Sequence, residues 1–179
     1  MMHSNLLNRR EVSVRLLSLL PVLGFAGKAG AVAVLEPVSD DLGISHNCEC
    51  IHQEVVIKAS RARVYQALTD AKQFSKVTDF SMPGVSTAIS PEVGGTFSLF
   101  GGYISGRHIE MVPNERLVQA WRTQKFDPGI FTIANFQLHE EGAATKLVFD
   151  QTAIPQGHAE HLAEGWKSHY WEGLQKYLA

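Results

Sequence analysis

Residues 94–122 read Gly-Gly-Thr-Phe-Ser-Leu-Phe-Gly-Gly-Tyr-Ile-Ser-Gly-Arg-His-Ile-Glu-Met-Val-Pro-Asn-Glu-Arg-Leu-Val-Gln-Ala-Trp-Arg. The stretch reads as three short strands joined by tight turns. Gly101-Gly102 supplies a pair that tolerates positive φ, as a two-residue hairpin requires. Pro113-Asn114 supplies the next turn, with proline pre-setting φ and removing a ladder donor. Strands that reverse this sharply build a curved antiparallel sheet, and a curved sheet must close around something.

Outward from this meander, strands continue in both directions. Val85–Ser90 precedes it, with Pro91, Gly94 and Gly95 between. After the Asp127-Pro128-Gly129 turn, Phe131–His139 alternates Ala134, Phe136 and Leu138 against Asn135, Gln137 and His139. Glu140-Glu141-Gly142 turns the chain into Thr145–Gln151, with Leu147 and Phe149 on one face. Ahead of these strands, His52–Lys58 reads as a first strand. Ser60 then caps a helix through Val64, Leu68 and Ala71, and Asp70 caps a second, shorter helix carrying Phe74 and Val77. At the other end, Pro155 opens a final helix. Ala159, Leu162, Ala163, Trp166, Tyr170, Leu174 and Tyr177 cover one broad face of it. At 1.5 Å per residue that helix is about 35 Å long, enough to cross the whole sheet. The expected fold is therefore α+β: a curved antiparallel sheet wrapped around a long C-terminal helix, with two short helices after the first strand. A straight helix cannot follow a curved sheet everywhere, so the arrangement predicts an apolar cavity where the two diverge.

Composition bounds the rest. A chain of 179 residues with 45% hydrophobic and 19% charged residues fits one globular domain. The domain is assigned to 52–179, with 34–51 as a linker. Residues 1–33 read as an export signal: Arg9-Arg10 and Arg15, an apolar centre over 16–26, then the small residues Ala29-Gly30-Ala31-Val32-Ala33. The centre is short for a membrane span. Asn8-Arg9-Arg10-Glu11-Val12 resembles a twin-arginine signal, with a general secretory signal as the variant. The expected location is periplasmic or secreted. The alternative is a cytoplasmic protein whose N-terminal helix docks on the domain. Beyond residue 33 the chain holds 12 basic and 17 acidic residues, a formal −5. A mildly acidic domain with no basic run is a poor partner for nucleic acid or anionic membranes. Cys48 and Cys50 read as linker thiols, since residues two apart seldom form an unstrained disulfide and a lone Cys-x-Cys is a weak metal signal.

Two polar sets invite a chemical reading. His158, His161 and His169 lie on the last helix, but His169 is about 16 Å along the axis from His158 and cannot join a shared metal. They are read as a solvated face, and no metal or cofactor is assigned. Arg107, His108 and Glu110 share one strand. Strict alternation puts His108 and Glu110 on one side and Arg107 on the other. Facing inward, His108 and Glu110 would form a buried acid–base pair; facing outward, they would leave Arg107 with Tyr103 and Ser105 to line the cavity. The competing reading is a cross-strand pair that pins the sheet. The apolar wall is assigned to Phe97, Leu99, Trp121, Phe136, Phe149, Trp166 and Tyr170. No Ser-His-Asp order, phosphate loop or zinc spacing is visible, so no catalytic residue is named.

Several spaced motifs carry a family resemblance. They are Val64-Tyr65-Gln66-Ala67-Leu68-Thr69-Asp70, Val93-Gly94-Gly95-Thr96-Phe97 and Gly106 to Glu110 leading into Val112-Pro113-Asn114-Glu115-Arg116-Leu117-Val118. Trp121-Arg122, Thr145-Lys146-Leu147 and Glu164-Gly165-Trp166 complete them. Together they resemble the helix-grip fold of the START and birch-pollen-allergen superfamily (SRPBCC), and within it the family of homologues of the activator of the heat-shock-protein-90 ATPase. The resemblance covers 52–179. It implies a sheet-and-helix cavity of the kind that holds lipids, sterols, hormones or polyketides, and in some members cyclase or hydrolase chemistry. The expected partner is a small hydrophobic molecule. A chaperone partner is not expected of an exported chain.

Overall fold

The structure, a computed structural model, describes residues 47–179. The export signal and most of the linker lie outside the described residues. Seven strands form one antiparallel sheet: β1 (Cys48–Ile57), β2 (Ala88–Ile89), β3 (Thr96–Leu99), β4 (Ile104–Val112), β5 (Arg116–Thr123), β6 (Thr132–Glu141) and β7 (Ala144–Pro155). Their order across the sheet is β1-β7-β6-β5-β4-β3-β2. Helices α1 (Arg61–Thr69) and α2 (Ala71–Thr78) carry the chain from β1 to the opposite edge, and six strands then meander back. The last helix comprises α3 (Ala159–Trp166), a π-helical turn (Lys167–Trp171) and α4 (Glu172–Leu178). This is the helix-grip arrangement expected from the sequence.

Local chemistry sets the element ends. The Asp70 carboxylate accepts from the Gln73 N–H at 2.9 Å and starts α2, while the Asp70 N–H still bonds Gln66 O at the end of α1. The inner sheet face follows the alternation of β5 and β6, with Leu117, Trp121, Ala134, Phe136 and Leu138 all buried. Trp166 sits at the centre of the core. Its ring centroid lies 4.3 Å from Phe149, 5.4 Å from Trp121 and 5.7 Å from Phe136.

Two close approaches bend and clamp this frame. A Cβ on Gly106 would run into Ala120 O and the Phe97 ring, so only glycine lets Phe97 cross the sheet there. A Cβ on Gly173 would run into Val77 O, so glycine lets α4 lie directly on α2.

Four expectations need correction. The assigned linker ended at residue 51, but residues 48–51 belong to β1, where Cys48 pairs with Pro155 and Ile51 with Gln151. Cys48 and Cys50 are therefore exposed strand residues. Pro155 ends β7 instead of opening the helix, and Glu49 caps the helix from the neighbouring strand. Its carboxylate accepts from the N–H groups of His158 and Ala159 at 3.1 and 2.9 Å. The Gly101-Gly102 turn is longer than two residues, because Leu99 pairs with Ile104. Phe100, Gly101 and Gly102 all take positive φ, of 52°, 67° and 91°. The turn is wound this tightly because the Phe100 ring is tucked inward, 6.3 Å from Phe74 and 5.6 Å from Tyr170. The fourth departure is in β4, where strict alternation breaks at a register shift between His108 and Glu110.

Candidate functional site

α3 and the sheet part company next to the Phe100–Gly102 turn, and a cavity of about 350 Å³ occupies the gap. The helix side contributes His161, Leu162, Gly165, Trp166, His169 and Tyr170. Ile104 and Trp121 form the sheet side. Phe100, Tyr103, Lys125 and Met82 close it from the loops. Gly165 has no heavy atom within 4 Å of where its Cβ would stand, so bare helix backbone faces open space there.

The π turn explains the aromatic density. An α-helix would place Trp166 and Tyr170 on one stripe and send Trp171 round the side. One extra residue per turn lets both Tyr170 and Trp171 point inward, each 5% exposed. Side-chain amides, the buried Gln151 and the half-buried Gln53, then fix the indoles. Trp166 Nε1 donates to Gln151 Oε1 at 2.7 Å, Gln151 Nε2 donates to Thr132 Oγ1 at 2.8 Å, and Thr132 Oγ1 donates to Trp121 O at 2.9 Å. Trp171 Nε1 donates to Gln53 Oε1 at 2.6 Å. The wall is thus preorganised by satisfied polar groups beneath it.

Other polar atoms of the wall are unsatisfied. Trp121 Nε1, the Tyr170 hydroxyl and His169 Nδ1 are buried without a hydrogen-bond partner. Burial pushes the Tyr170 hydroxyl far above its ordinary value, and the Trp121 indole N–H beside it opposes the rise without completing a hydrogen bond. Among the described residues, no aspartate or glutamate lines the cavity.

Of the eleven residues assigned from sequence, the cavity wall holds Tyr103, Trp121, Trp166 and Tyr170. Phe97, Leu99, Phe136 and Phe149 are buried core away from the opening. The remaining three do not converge. The register between β4 and β5 shifts between His108 and Glu110, which makes Ile109 a bulge. An extra residue reverses the alternation, so His108 points in and Glu110 points out. Glu110 makes a two-pronged pair with Arg116, at 2.9 and 2.7 Å. That pairing holds its carboxyl below the usual carboxylate value. Arg107 lies outside and donates to Gly94 O. His108 is buried against Phe97, with Gln119 Nε2 at 3.4 Å from its Nδ1 and no hydrogen-bond partner at its Nε2. Neither cavity-lining arrangement is built, since His108 and Glu110 form no acid–base pair and Arg107 does not line this cavity; the competing reading holds instead, because Glu110 of β4 and Arg116 of β5 form a cross-strand pair.

Sequence reasoning missed His161, Leu162, Gly165 and His169 on the helix, Ile104 on the sheet, and Met82, Phe100 and Lys125 in the loops. His161 and His169 were read as solvated surface, yet both line the cavity, whereas His158 rests edge-on against Phe126 at 5.3 Å by a different depression. The adjacent pair Tyr170-Trp171 was the available signal, since two neighbouring aromatics do not fit one helical stripe.

Comparison with known proteins supports the same frame. The human activator of 90 kDa heat shock protein ATPase homolog 1 is 28% identical over 83 residues, 46% of this chain and 25% of that protein. The Dictyostelium discoideum homologue is 35% identical over 77 residues, 42% of this chain and 20% of that protein. The chain thus spans about a quarter of the length of the curated relatives it matches. Among solved structures, an HSP90 activator from Plasmodium falciparum superposes with a TM-score of 0.67 at 20% identity, covering 72% of this chain and 95% of that one. CalU16 from Micromonospora echinospora gives 0.61 at 19% identity, with 74% and 77% covered. The family described as Activator of Hsp90 ATPase homolog 1-like protein matches residues 58–179, and the chain, with its helix-grip fold, belongs to that family.

Proposed function

We propose that this protein is a binding module that holds a small, largely apolar molecule between α3 and the sheet. The observation that carries the reading is the 350 Å³ cavity, walled by aromatic rings and open along the bare backbone at Gly165. Small-molecule sites are concave, mostly apolar and furnished with few polar groups, and this cavity has that composition. Trp121 and Trp166 line it, so their fluorescence reports occupancy directly. A fluorescence titration with naphthalene-sized and decyl-chain probes is expected to give saturable changes. Gly165→Leu, which puts a side chain into the space, is expected to weaken them. Saturable binding that is unchanged by Gly165→Leu would move the site elsewhere, and no binding of any probe would end the reading.

Export remains part of this proposal and rests on residues 1–33; sequencing the mature N-terminus tests it. A second reading is favoured by family membership: the domain stimulates a chaperone ATPase, as the relatives' names say of them. Adding the full chain to a purified chaperone of that class and finding an unchanged ATPase rate would dismiss it.

A further inference from the structure

The cavity differs in charge from the domain that surrounds it. Residues 47–179 carry 12 basic and 14 acidic side chains. The cavity is nevertheless lined by three basic side chains, Lys125, His161 and His169, and by no acidic one among the described residues. Among the described residues, no carboxylate forms an ion pair with Lys125. Lys125 also belongs to a braced loop. Its loop is tied down by Arg122 Nη2 donating to Phe126 O at 2.8 Å and by Gln124 Nε2 donating to Gly102 O at 3.1 Å. The buried Phe126 ring anchors the same loop on Trp121, 6.2 Å between centroids. A braced loop thus presents Lys125, exposed and without an ion pair among the described residues, to an aromatic cavity that the exposed His161 of α3 also lines.

We infer that the ligand is an amphiphilic carboxylic acid, with its apolar body against Trp166 and Gly165 and its carboxylate at the rim with Lys125 and His161. The inference rests on the binding-module reading and adds the ligand's chemical class. A carboxylate at a rim of this kind keeps part of its hydration while gaining an unpaired cation, whereas at a wall carrying acidic groups it would be repelled. A neutral ligand of equal size gains the apolar contacts alone.

Matched probes test this on the full-length protein by tryptophan fluorescence: naphthoate against naphthalenemethanol, and decanoate against decanol, at low and at high salt. Each acid is expected to bind tighter than its alcohol by at least about threefold at low salt, with the advantage shrinking as salt screens the rim. Lys125→Gln is expected to lower the acid-to-alcohol affinity ratio toward one, with an unchanged thermal midpoint showing that the fold is intact. Equal binding of acid and alcohol overturns the carboxylate inference and leaves the binding-module reading standing. An acid preference undiminished by Lys125→Gln overturns the assigned rim. Failure of all four probes removes both readings.

Discussion

Gly165 offers the sharpest test, because helix energetics and cavity shape make opposite demands on it. A glycine inside a helix is destabilising relative to alanine by up to about 1 kcal/mol, since its unfolded backbone has more freedom to lose. The usual excuse is close packing, and Gly165 lacks it: no heavy atom lies within 4 Å of its would-be Cβ. Its φ is an ordinary helical one, so alanine fits without strain. Gly165→Ala is therefore expected to stabilise the fold by about 0.5–1 kcal/mol, the helix-propensity gain with no clash to subtract. For a domain of this size that raises the thermal midpoint by roughly 2–5 °C. Circular dichroism or scanning calorimetry on the protein and the variant reads the shift, and the naphthoate titration reads the cost. Affinity should fall slightly with alanine and strongly with leucine, whose side chain takes up the space itself. A Gly165→Ala protein that melts lower than the parent would refute the reasoning, because it would mean that something already fills the space beside α3.

The same substitution eight residues on should have the opposite sign. At Gly173 the new methyl meets Val77 O on α2, and an overpacking cost of about 1–3 kcal/mol outweighs the propensity gain, so Gly173→Ala should lower the urea midpoint. Gln151→Leu leaves the buried Trp166 N–H without its acceptor and should cost about 1–3 kcal/mol, read as a lower urea midpoint at constant slope. His108 sets an acid limit. Burial disfavours its charged form and holds its pKa below the ordinary 6.5, so the unfolded chain takes up the proton first as pH falls. Its stabilising contribution is present above 6.5 and is lost as pH drops through the lowered value. Carboxylates held below 4.5, such as Glu54 and Glu110, act only at lower pH. Urea midpoints between pH 7 and 5 should fall for the parent and flatten for His108→Leu; parallel profiles would remove His108 as the cause.

The sheet was legible because its signals are local and repeated. Alternation in Phe131–His139 and turn residues at Pro113-Asn114 each specify a strand or a reversal by themselves. The candidate site was legible only where rings recur at helical spacing, as at Trp166 and Tyr170. Two single-residue insertions defeated the rest. The bulge at Ile109 turns Glu110 away from His108, and no residue type marks it, since any side chain can occupy it. The π turn over Lys167–Trp171 brings in Trp171 along with Tyr170, against the 3.6-residue period on which the helix face was drawn. The β1 start at Cys48 was missed for another reason: its strand character comes from pairing with β7, more than a hundred residues away in sequence.

The cavity sits in a helix that has little freedom to close it. α3 is capped at its first turn by Glu49 reaching across from β1. Trp166 is tied through Gln151 to Thr132 on β6, and Trp171 is tied to Gln53 on β1. Beyond them Gly173 rests against the backbone of α2. A loosely held helix would slide toward the sheet and gain dispersion contacts until the gap vanished. Here such a slide would have to break a satisfied buried amide network on one side or compress a backbone contact on the other. The gap therefore persists, and what fills it is set by its wall. Aromatic and aliphatic surface offers water few partners, whereas a flat apolar molecule regains the missing contacts without moving an anchor. In this fold the anchors that hold the helix in place are also what keep the space beside Gly165 available to a ligand.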